Sequence, residues 1–183
     1  MKGAILHRTV VLVGMMGCGK TAIGRALSAR LNIPFLDSDH EIEIAAQASI
    51  AEIFVRDGEP FFREREAEVI DRLLSGPPVL LSTGGGAFLA PRNRAAIADK
   101  GLAVWLDAPL DLLWERVRHK DTRPLLRTEN PRATLTEIFH VRTPIYAKAA
   151  MRIDVQHGAS IEETTDAVIA RLAEDATILE ITT

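Results

Sequence analysis

Residues Gly14 to Thr21 read GMMGCGKT and match the pattern G-x-x-x-x-G-K-[ST] at every fixed position. The apolar run Val10–Val13 precedes this stretch. Apolar residues at helical spacing follow it: Ile23, Ala26, Leu27 and Leu31. A glycine-rich loop between a strand and a helix aims backbone N–H groups at an anion, and the helix N-terminus adds partial positive charge. The sequence therefore predicts a phosphate-binding loop; the alternative is a merely tight strand-to-helix turn.

Three side chains of this loop have distinct expected properties. Lys20 would reach the β- and γ-phosphates, and the Thr21 hydroxyl would ligate Mg²⁺. Cys18 is the only cysteine, and its ordinary interpretation is a small residue at a tolerant position. A thiol at a helix N-terminus is also expected to be reactive. We therefore keep the hypothesis that Cys18 is readily alkylated in the free protein and protected by nucleotide.

Composition excludes several classes of protein. A chain of 183 residues with 47% hydrophobic and 26% charged residues is typical of one globular domain. Its net charge of -3 favours neither a nucleic-acid nor a membrane partner. One cysteine fits a reducing compartment, and Met1–Arg8 is too short and mixed for a secretory signal. We expect a cytoplasmic protein that needs to be no more than a monomer.

Strands and helices alternate along the chain. The predicted strands are Thr9–Val13, Phe35–Leu36, Val79–Ser82, Leu102–Leu106 and Met151–Val155. Capping boxes begin helices at Ser49 and Ser160, Pro91 opens another, and a helix from Ile138 is expected to break at Pro144. The charged stretch at about 118–131 suggests a mobile lid. This alternation predicts one parallel sheet with helices on both faces.

Two carboxylates follow the second predicted strand. Asp37 and Asp39 would alternate along an extended segment and point in different directions. One would hold the Mg²⁺ shell and the other would accept a hydrogen bond from an acceptor hydroxyl, whereas a turn or helix cap is the alternative. Asp107 also follows a predicted strand, but a helix cap is the preferred interpretation there.

Two arginines and a glycine run suggest a binding site for a carboxylate. Arg63 lies on the polar face of a predicted helix, where an exposed pair with Glu66 is the alternative. Gly84–Gly86 follows a buried strand, and Arg142 precedes Thr-Pro. Taken alone, the glycine run would suggest a flexible loop, and Arg142 an exposed residue at a helix end. Together they suit a small acceptor that bears a carboxylate, because guanidinium binds carboxylate through two parallel hydrogen bonds.

The order of these motifs resembles the shikimate kinase family. GMMGCGKT, FLDSD, FFREREAE, STGGGAF, RPLL and RTPIY occur in that order between Val10 and Asp154. The resemblance implies the three-layer P-loop NTPase fold of the nucleoside-monophosphate-kinase type, an α/β fold with a five-stranded parallel sheet. It also implies transfer of the γ-phosphoryl group of ATP to the 3-hydroxyl of shikimate, in aromatic amino acid biosynthesis, with Mg²⁺ as the metal.

The resemblance assigns the acceptor side of the site. Asp39 would orient the reacting hydroxyl. Arg63, Arg142 and the backbone of Gly85 would hold the carboxylate, and Glu66 would steady Arg63.

The resemblance also assigns the nucleotide side. Arg123 would close over the phosphates and share catalysis with Lys20 and Asp39, while Arg116 would lie against the adenine. Thr21 would bind Mg²⁺, with Asp37 and Ser82 acting through water. The expected loop contacts to ATP are Gly17, Cys18, Gly19, Lys20, Thr21 and Ala22. One departure concerns the adenine side, where some members place an arginine and this chain has Gln156–Gly158.

Other functions remain as alternatives. A kinase for another hydroxy acid, such as gluconate, would keep the loop and the arginines but would not need the glycine run. A nucleoside monophosphate kinase fits less well, because two arginines around a glycine run suit a carboxylate better than a base. A GTPase would carry Asp-x-x-Gly and Asn-Lys-x-Asp, which the sequence lacks. A catalytically silent binding module would have lost an essential group, yet Lys20, Asp39 and Arg123 are present.

Overall fold

The computed structural model describes residues 3–120 and 123–182. Seven strands occur in this part of the chain: β1 Gly3–Leu6, β2 Thr9–Val13, β3 Phe35–Asp37, β4 Leu80–Ser82, β5 Gly101–Asp107, β6 Met151–Asp154 and β7 Leu179–Thr182. Five of them form a parallel sheet in the order β3-β4-β2-β5-β6, and β1 pairs with β7 in an antiparallel ribbon. The predicted five-stranded parallel sheet is confirmed.

Eight α-helices connect and cover these strands within the described residues. They are α1 Lys20–Leu31, α2 Ser38–Ala46, α3 Ile50–Asp57, α4 Glu59–Leu74, α5 Pro91–Lys100, α6 Leu110–Val117, α7 Pro131–Tyr146 and α8 Ile161–Ala173. Both predicted capping boxes are present, at Ser49 and Ser160. None of the helices in the described ranges is long and apolar enough to cross a membrane.

Strand β2 lies at the centre of the core. Every one of its five residues is buried, and since successive side chains point to opposite faces, both faces of the sheet are covered. Its backbone pairs with β4 on one edge and with β5 on the other. The loop after β2 therefore begins from a strand end that is fixed by pairing on both edges and by burial on both faces.

A second apolar cluster fixes the helices beside the sheet. Ile42 of α2, Ile53 of α3, and Phe62 and Val69 of α4 are buried together. Leu73 packs against both this cluster and the main core. The cluster therefore anchors α2 and α4, the helices that carry Asp39 and Arg63.

One local prediction is wrong, and two features were missed. Helix α7 begins at Pro131 and passes through Pro144 instead of breaking there. Pro144 removes only the one bond that its N–H would donate to the His140 carbonyl, and just two helical residues follow it. Helix α2 and the ribbon of β1 and β7 were not predicted at all.

The predicted lid is only partly described. Asp121 and Thr122 lie outside the described residues. A short 3-10 helix spans Pro124–Leu126, and the Leu126 side chain is buried in the main core. The segment is therefore anchored on its C-terminal side; its mobility stays a prediction.

A glycine inside α1 gives a test of this packing. A Cβ atom on Gly24 would lie 2.2 Å from Cε2 of Phe35 in β3. Alanine at a helix position normally gains about 1 kcal/mol over glycine, but overpacking a core costs about 1–3 kcal/mol. We expect Gly24→Ala to lower the free energy of unfolding by about 1–2 kcal/mol, as measured by urea denaturation.

Gly76→Ala is the matched control. A Cβ atom there would lie 3.5 Å from the backbone oxygen of Leu73, an ordinary contact. Its effect should stay within about 0.5 kcal/mol. A Gly24→Ala protein as stable as the wild type would contradict the direct packing of Phe35 on α1.

Candidate active site

A cleft of about 530 Å³ lies along the carboxyl ends of β2, β3 and β4. The phosphate-loop segment forms one wall, and the ends of β3 and β4 contribute Asp37 and Ser82. Residues 155 and 159–161, between β6 and the start of α8, form part of the opposite wall. Ligands of open parallel sheets bind at such strand ends, so this cleft is the candidate active site.

The loop has the backbone geometry that the sequence predicted. Gly14, Gly17 and Gly19 have φ values of 145°, 80° and 105°, in the region that favours glycine. Gly19 is the N-cap of α1 and offers no capping side chain, so the first N–H groups of the helix have no side-chain cap. Lys20 Nζ donates to the Gly14 and Met15 carbonyl oxygens at 2.8 and 3.1 Å. The cation therefore lies over its own loop.

Four cationic side chains line the cleft: Lys20, Arg116, Lys120 and Arg123. Arg116 Nη1 donates to the carbonyl oxygens of Gly17 and Cys18 at 3.1 and 3.3 Å, which ties α6 to the loop. Arg123 Nε is buried and has no hydrogen-bond partner within the described residues. An unpaired buried donor is costly, so Arg123 is suited to an anionic ligand.

Asp37 and Asp39 both line the cleft, but not by the predicted geometry. Strand β3 ends at Asp37, and Asp39 lies in the first turn of α2, so the two do not alternate along an extended segment. Asp37 Oδ1 caps α2 by accepting from the N–H groups of Asp39 and His40 at 2.9 and 3.4 Å. Asp37 is therefore both a helix cap and a cleft residue.

Burial is the main influence on Asp39. It raises the pKa of this carboxyl from 3.8 to about 6, and the charge of Asp37 adds to the rise. Lys20 and Arg63 lower the pKa of Asp39, but by less. The carboxylate is therefore ionised above about pH 6 and is a better proton acceptor than an exposed aspartate.

Each glycine of the run Gly84–Gly86 lies against a different charged side chain. Placed on Gly84, a Cβ atom would lie 2.8 Å from Asp39 Oδ1. On Gly85 it would lie 3.2 Å from Arg142 Nη1, and on Gly86 2.6 Å from Arg63 Nη2. The run thus allows three charged groups to approach the backbone, and none of its residues has a positive φ. Across the described residues, no hydrogen bond within the chain uses the Gly85 N–H.

Arg63 does pair with Glu66, but Glu66 is buried, whereas the alternative from the sequence was an exposed pair. Glu66 is only 1% exposed, although the helical pattern placed it on the polar face. Its two carboxylate oxygens accept from Arg63 Nη1 at 2.9 and 3.1 Å. Burial raises the pKa of Glu66, and Arg63 opposes that rise. Glu66 therefore holds Arg63 from the interior side of α4.

Two other expectations meet contrary geometry. Cys18 is 1% exposed, and its Sγ would lie 2.9 Å from a Cβ atom on Gly14. This burial argues against ready alkylation of the thiol, which stays a hypothesis. Asp107 does not cap α6, because Pro109 is the N-cap residue. Asp107 pairs instead with Arg152 at 2.9 Å.

The structure brings most of the predicted site residues together. Gly17, Cys18, Gly19, Lys20, Thr21, Ala22, Asp37, Asp39, Gly85, Arg116 and Arg123 all line the cleft. Arg63 and Arg142 do not line it and instead flank the glycine run at its end. Sequence reasoning missed Lys120 and Thr164 as wall residues. No sequence motif sets Lys120 or Thr164 apart from the other polar residues of the chain.

Comparison with known proteins identifies the family. The family model described as shikimate kinase matches residues 16–173. A shikimate kinase of Ruegeria pomeroyi is 60% identical over 178 residues, which cover 97% of this chain and 91% of that protein. The chain belongs to the shikimate kinase family. As a member of the shikimate kinase family, it is a phosphotransferase that uses ATP as co-substrate with Mg²⁺.

Other relatives agree with this shikimate kinase assignment. A shikimate kinase of Cereibacter sphaeroides is 57% identical and is matched over 97% of this chain and 88% of its own. A solved shikimate kinase from Acinetobacter baumannii, in complex with shikimate, has a TM-score of 0.83 at 38% identity, with 92% of this chain and 94% of that chain covered. A gluconokinase from Sinorhizobium meliloti has a TM-score of 0.59 at 20% identity, which shows a common fold alone.

The raised pKa of Asp39 predicts a pH-dependent stability difference. Because the pKa is higher in the folded state than in the unfolded state, the wild type loses stability as pH rises from about 4 to about 6. Asn cannot ionise, so Asp39→Asn removes this loss. Between about pH 4.5 and 7.5 we expect the variant to gain about 1–2 kcal/mol relative to the wild type, or several degrees in Tm.

The measurement is thermal unfolding of the nucleotide-free protein at both pH values. Asp99→Asn is the control, since Asp99 is exposed on α5. It should show no pH-dependent gain. An Asp39→Asn advantage that is equal at the two pH values would contradict the burial of an ionised carboxylate.

Proposed function

We propose that this kinase transfers the γ-phosphoryl group of ATP to the 3-hydroxyl of shikimate, a step of aromatic amino acid biosynthesis. The observation that carries the proposal is the glycine run, which seats Asp39, Arg142 and Arg63 against three consecutive residues. Two guanidinium groups suit a carboxylate, and the aspartate suits a hydroxyl. An acceptor with both groups, such as shikimate, would be held between them.

The phosphate loop and the cations would hold ATP. Lys20 would exchange its two carbonyl partners for phosphate oxygens, which offer full negative charge. Arg123, whose buried Nε has no partner in the described part of the chain, would contact the transferred group. Arg116 would lie beside the adenine while its Nη1 stays on the loop carbonyls. N–H groups of the loop, from Gly17 to Ala22, would complete the contacts.

The residues present fit Mg²⁺. Thr21 and Asp37 line the same cleft and offer a hydroxyl and a carboxylate, the hard oxygen ligands that Mg²⁺ prefers. Within the described ranges no three acidic, His or Cys side chains are placed to hold a metal ion together, so phosphate oxygens and water would supply the remaining ligands. Asp37 and Ser82 would act through water. Mg²⁺ bound here would neutralise charge on the phosphates.

The acceptor would be bound by its carboxylate. Arg63, held by buried Glu66, and Arg142 would bind the carboxylate from two helices, α4 and α7. The Gly85 N–H would add a third donor. This arrangement would place the ring of the acceptor with one hydroxyl toward Asp39, on the side of the phosphate loop.

Asp39 would then act on the reacting hydroxyl. With a pKa of about 6, its carboxylate is ionised at neutral pH and accepts the hydrogen bond of that hydroxyl. Phosphoryl transfer needs mainly an aligned acceptor and stabilised charge. Lys20 and Arg123 would supply the positive charge, so Asp39, Lys20 and Arg123 are the proposed catalytic residues.

The proposal extends to the organisation of the protein. The chain would form a single kinase domain, and residues at about 118–131 would form a lid that closes over ATP and excludes water. Arg123 lies in this segment and already lines the cleft, so closure would bring it onto the phosphates. Each chain carries a whole cleft, so a cytoplasmic monomer would be sufficient.

The first test is ADP release from MgATP at about pH 7.5, with shikimate, gluconate or quinate as the acceptor. We expect release that depends on shikimate, with ³¹P NMR of the product showing the phosphate on the 3-hydroxyl. Lys20→Ala should lower kcat at least about a hundredfold, because it removes the main cation of the loop. Release with gluconate and none with shikimate, or nucleotide binding without turnover, would refute the proposed substrate.

The glycine run gives a test of the individual roles. Gly86→Ala would displace the Arg63 guanidinium and should raise the KM for shikimate about tenfold or more, with a small change in the KM for MgATP. Gly84→Ala is the matched variant, since it would displace the Asp39 carboxylate and should lower kcat by about a hundredfold. Steady-state kinetics of both variants separates the two effects. If both variants changed the same kinetic parameter, Gly84 and Gly86 would not act through two different side chains, Asp39 and Arg63.

A further inference from the structure

Tyr146 is the only tyrosine of the chain and ends helix α7. It is 1% exposed, yet its hydroxyl reaches the glycine run and donates to the Gly85 carbonyl oxygen at 2.6 Å. This is a short bond between residues 61 positions apart in sequence. This hydrogen bond belongs neither to the phosphate loop nor to the proposed contacts with the acceptor.

The bond acts on a turn with two available forms. The Ala87 N–H donates to the Gly84 carbonyl at 3.1 Å, which makes Gly85 and Gly86 the central residues of a β-turn. Gly86 has φ -88° and ψ -14°, as in a type I turn. A type II turn differs by rotation of the central peptide and needs positive φ at the third residue, which glycine adopts without strain. With glycine at both central positions, only external contacts select one form.

The Tyr146 hydroxyl supplies such a contact. Rotation of the central peptide would carry the Gly85 carbonyl away from the hydroxyl and leave a buried donor without its acceptor. That loss costs about 1–3 kcal/mol. The hydroxyl therefore holds the turn in its type I form.

Aromatic packing fixes where the hydroxyl lies. The Tyr146 ring stacks between Phe88 and Trp105, with both centroid distances 6.4 Å and interplanar angles of 16° and 27°. Burial raises the pKa of Tyr146 to about 12, although nearby Arg142 lowers it. The phenol thus keeps its proton, and remains a donor, throughout the neutral range.

Arg142 lies beside the same hydroxyl. It precedes Tyr146 by four residues on α7, so the two side chains share one helix face. A Cβ atom on Gly85 would lie 3.2 Å from Arg142 Nη1 and 3.9 Å from Tyr146 Oη. One hydroxyl therefore adjoins both a proposed carboxylate-binding cation and the backbone of the proposed carboxylate-binding turn.

We propose that Tyr146 is a positioning residue for the acceptor: its hydroxyl holds the Gly85 carbonyl oxygen and lies beside Arg142, so that the backbone of the glycine run and Arg142 keep one relative position in which to meet the acceptor carboxylate. This inference rests on the proposed function, because shikimate is the acceptor used in its test. Tyr146 does not touch the acceptor and acts through Gly85 and Arg142.

The test is Tyr146→Phe, which keeps the stacked ring and removes only the hydroxyl. We expect the KM for shikimate to rise about tenfold, the factor that corresponds to about 1.4 kcal/mol. The KM for MgATP and kcat should stay within about twofold. Thr165→Val is the matched control, since Thr165 is fully buried and its hydroxyl also donates to a carbonyl, that of Ile161, at 2.7 Å. Thr165 lies on α8, outside the cleft lining, and its variant should leave both KM values unchanged.

The outcomes separate this inference from the proposed function. Wild-type protein that does not phosphorylate shikimate refutes the function, and the inference with it. Active wild type with an unchanged KM for shikimate in Tyr146→Phe overturns the inference alone. An equal rise in the KM for both substrates also overturns it, because the hydroxyl would then only support the fold.

A second measurement uses the wild-type protein and does not depend on folding of the variant. A single tyrosine gives a single signal when tyrosine is labelled with ¹³C at Cζ. Shikimate should shift this signal, because its carboxylate would bind Arg142 next to the hydroxyl, whereas MgADP alone should shift it less. A signal that saturating shikimate leaves unchanged would overturn the inference.

Discussion

The pairing of β2 on both edges is the constraint on which the rest of the site depends. Its backbone is bonded to β4 and β5, and all its side chains are buried, so the strand has no freedom to shift without breaking the core. The phosphate loop leaves its end between Ser82 and Trp105, its neighbours across the sheet. A loop whose glycines have left-handed backbone angles keeps one conformation only if its ends are fixed, and β2 and α1 fix them.

The Asp39 carboxylate lies between two groups of cationic side chains. Four cationic side chains line the cleft, where a polyphosphate would lie in the proposed function. Arg63 and Arg142 flank the glycine run, and Asp39 lies between the loop and that run. Burial destabilises the Asp39 carboxylate in the folded protein. The protein therefore tolerates a local loss of stability at the position of the proposed proton acceptor, a compromise common at functional sites.

Features that depend on local sequence could be predicted, and features that depend on distant contacts could not. The phosphate loop, the five parallel strands and the capping boxes follow from motifs and periodicity within short windows. The burial of Glu66, the contact of Tyr146 with Gly85 and the pairing of β1 with β7 join residues that only the tertiary fold brings together. Glu66 shows the limit best: helical periodicity placed it toward solvent, but α4 packs against α2 and against the short 3-10 helix Ala87–Leu89. The candidate residues could be named in advance, and their individual roles stay predictions.

The buried position of Glu66 has a consequence for mutational tolerance. Removing Arg63 would leave an uncompensated carboxylate in the interior, and breaking such a pair is strongly destabilising, by about 3–5 kcal/mol. The loss would fall on α4, the helix that carries both Arg63 and Glu66. In a cell, loss of that much stability lowers the amount of folded protein. Under the proposed function, substitution of Arg63 is thus restricted twice, through affinity for the acceptor and through the amount of folded protein.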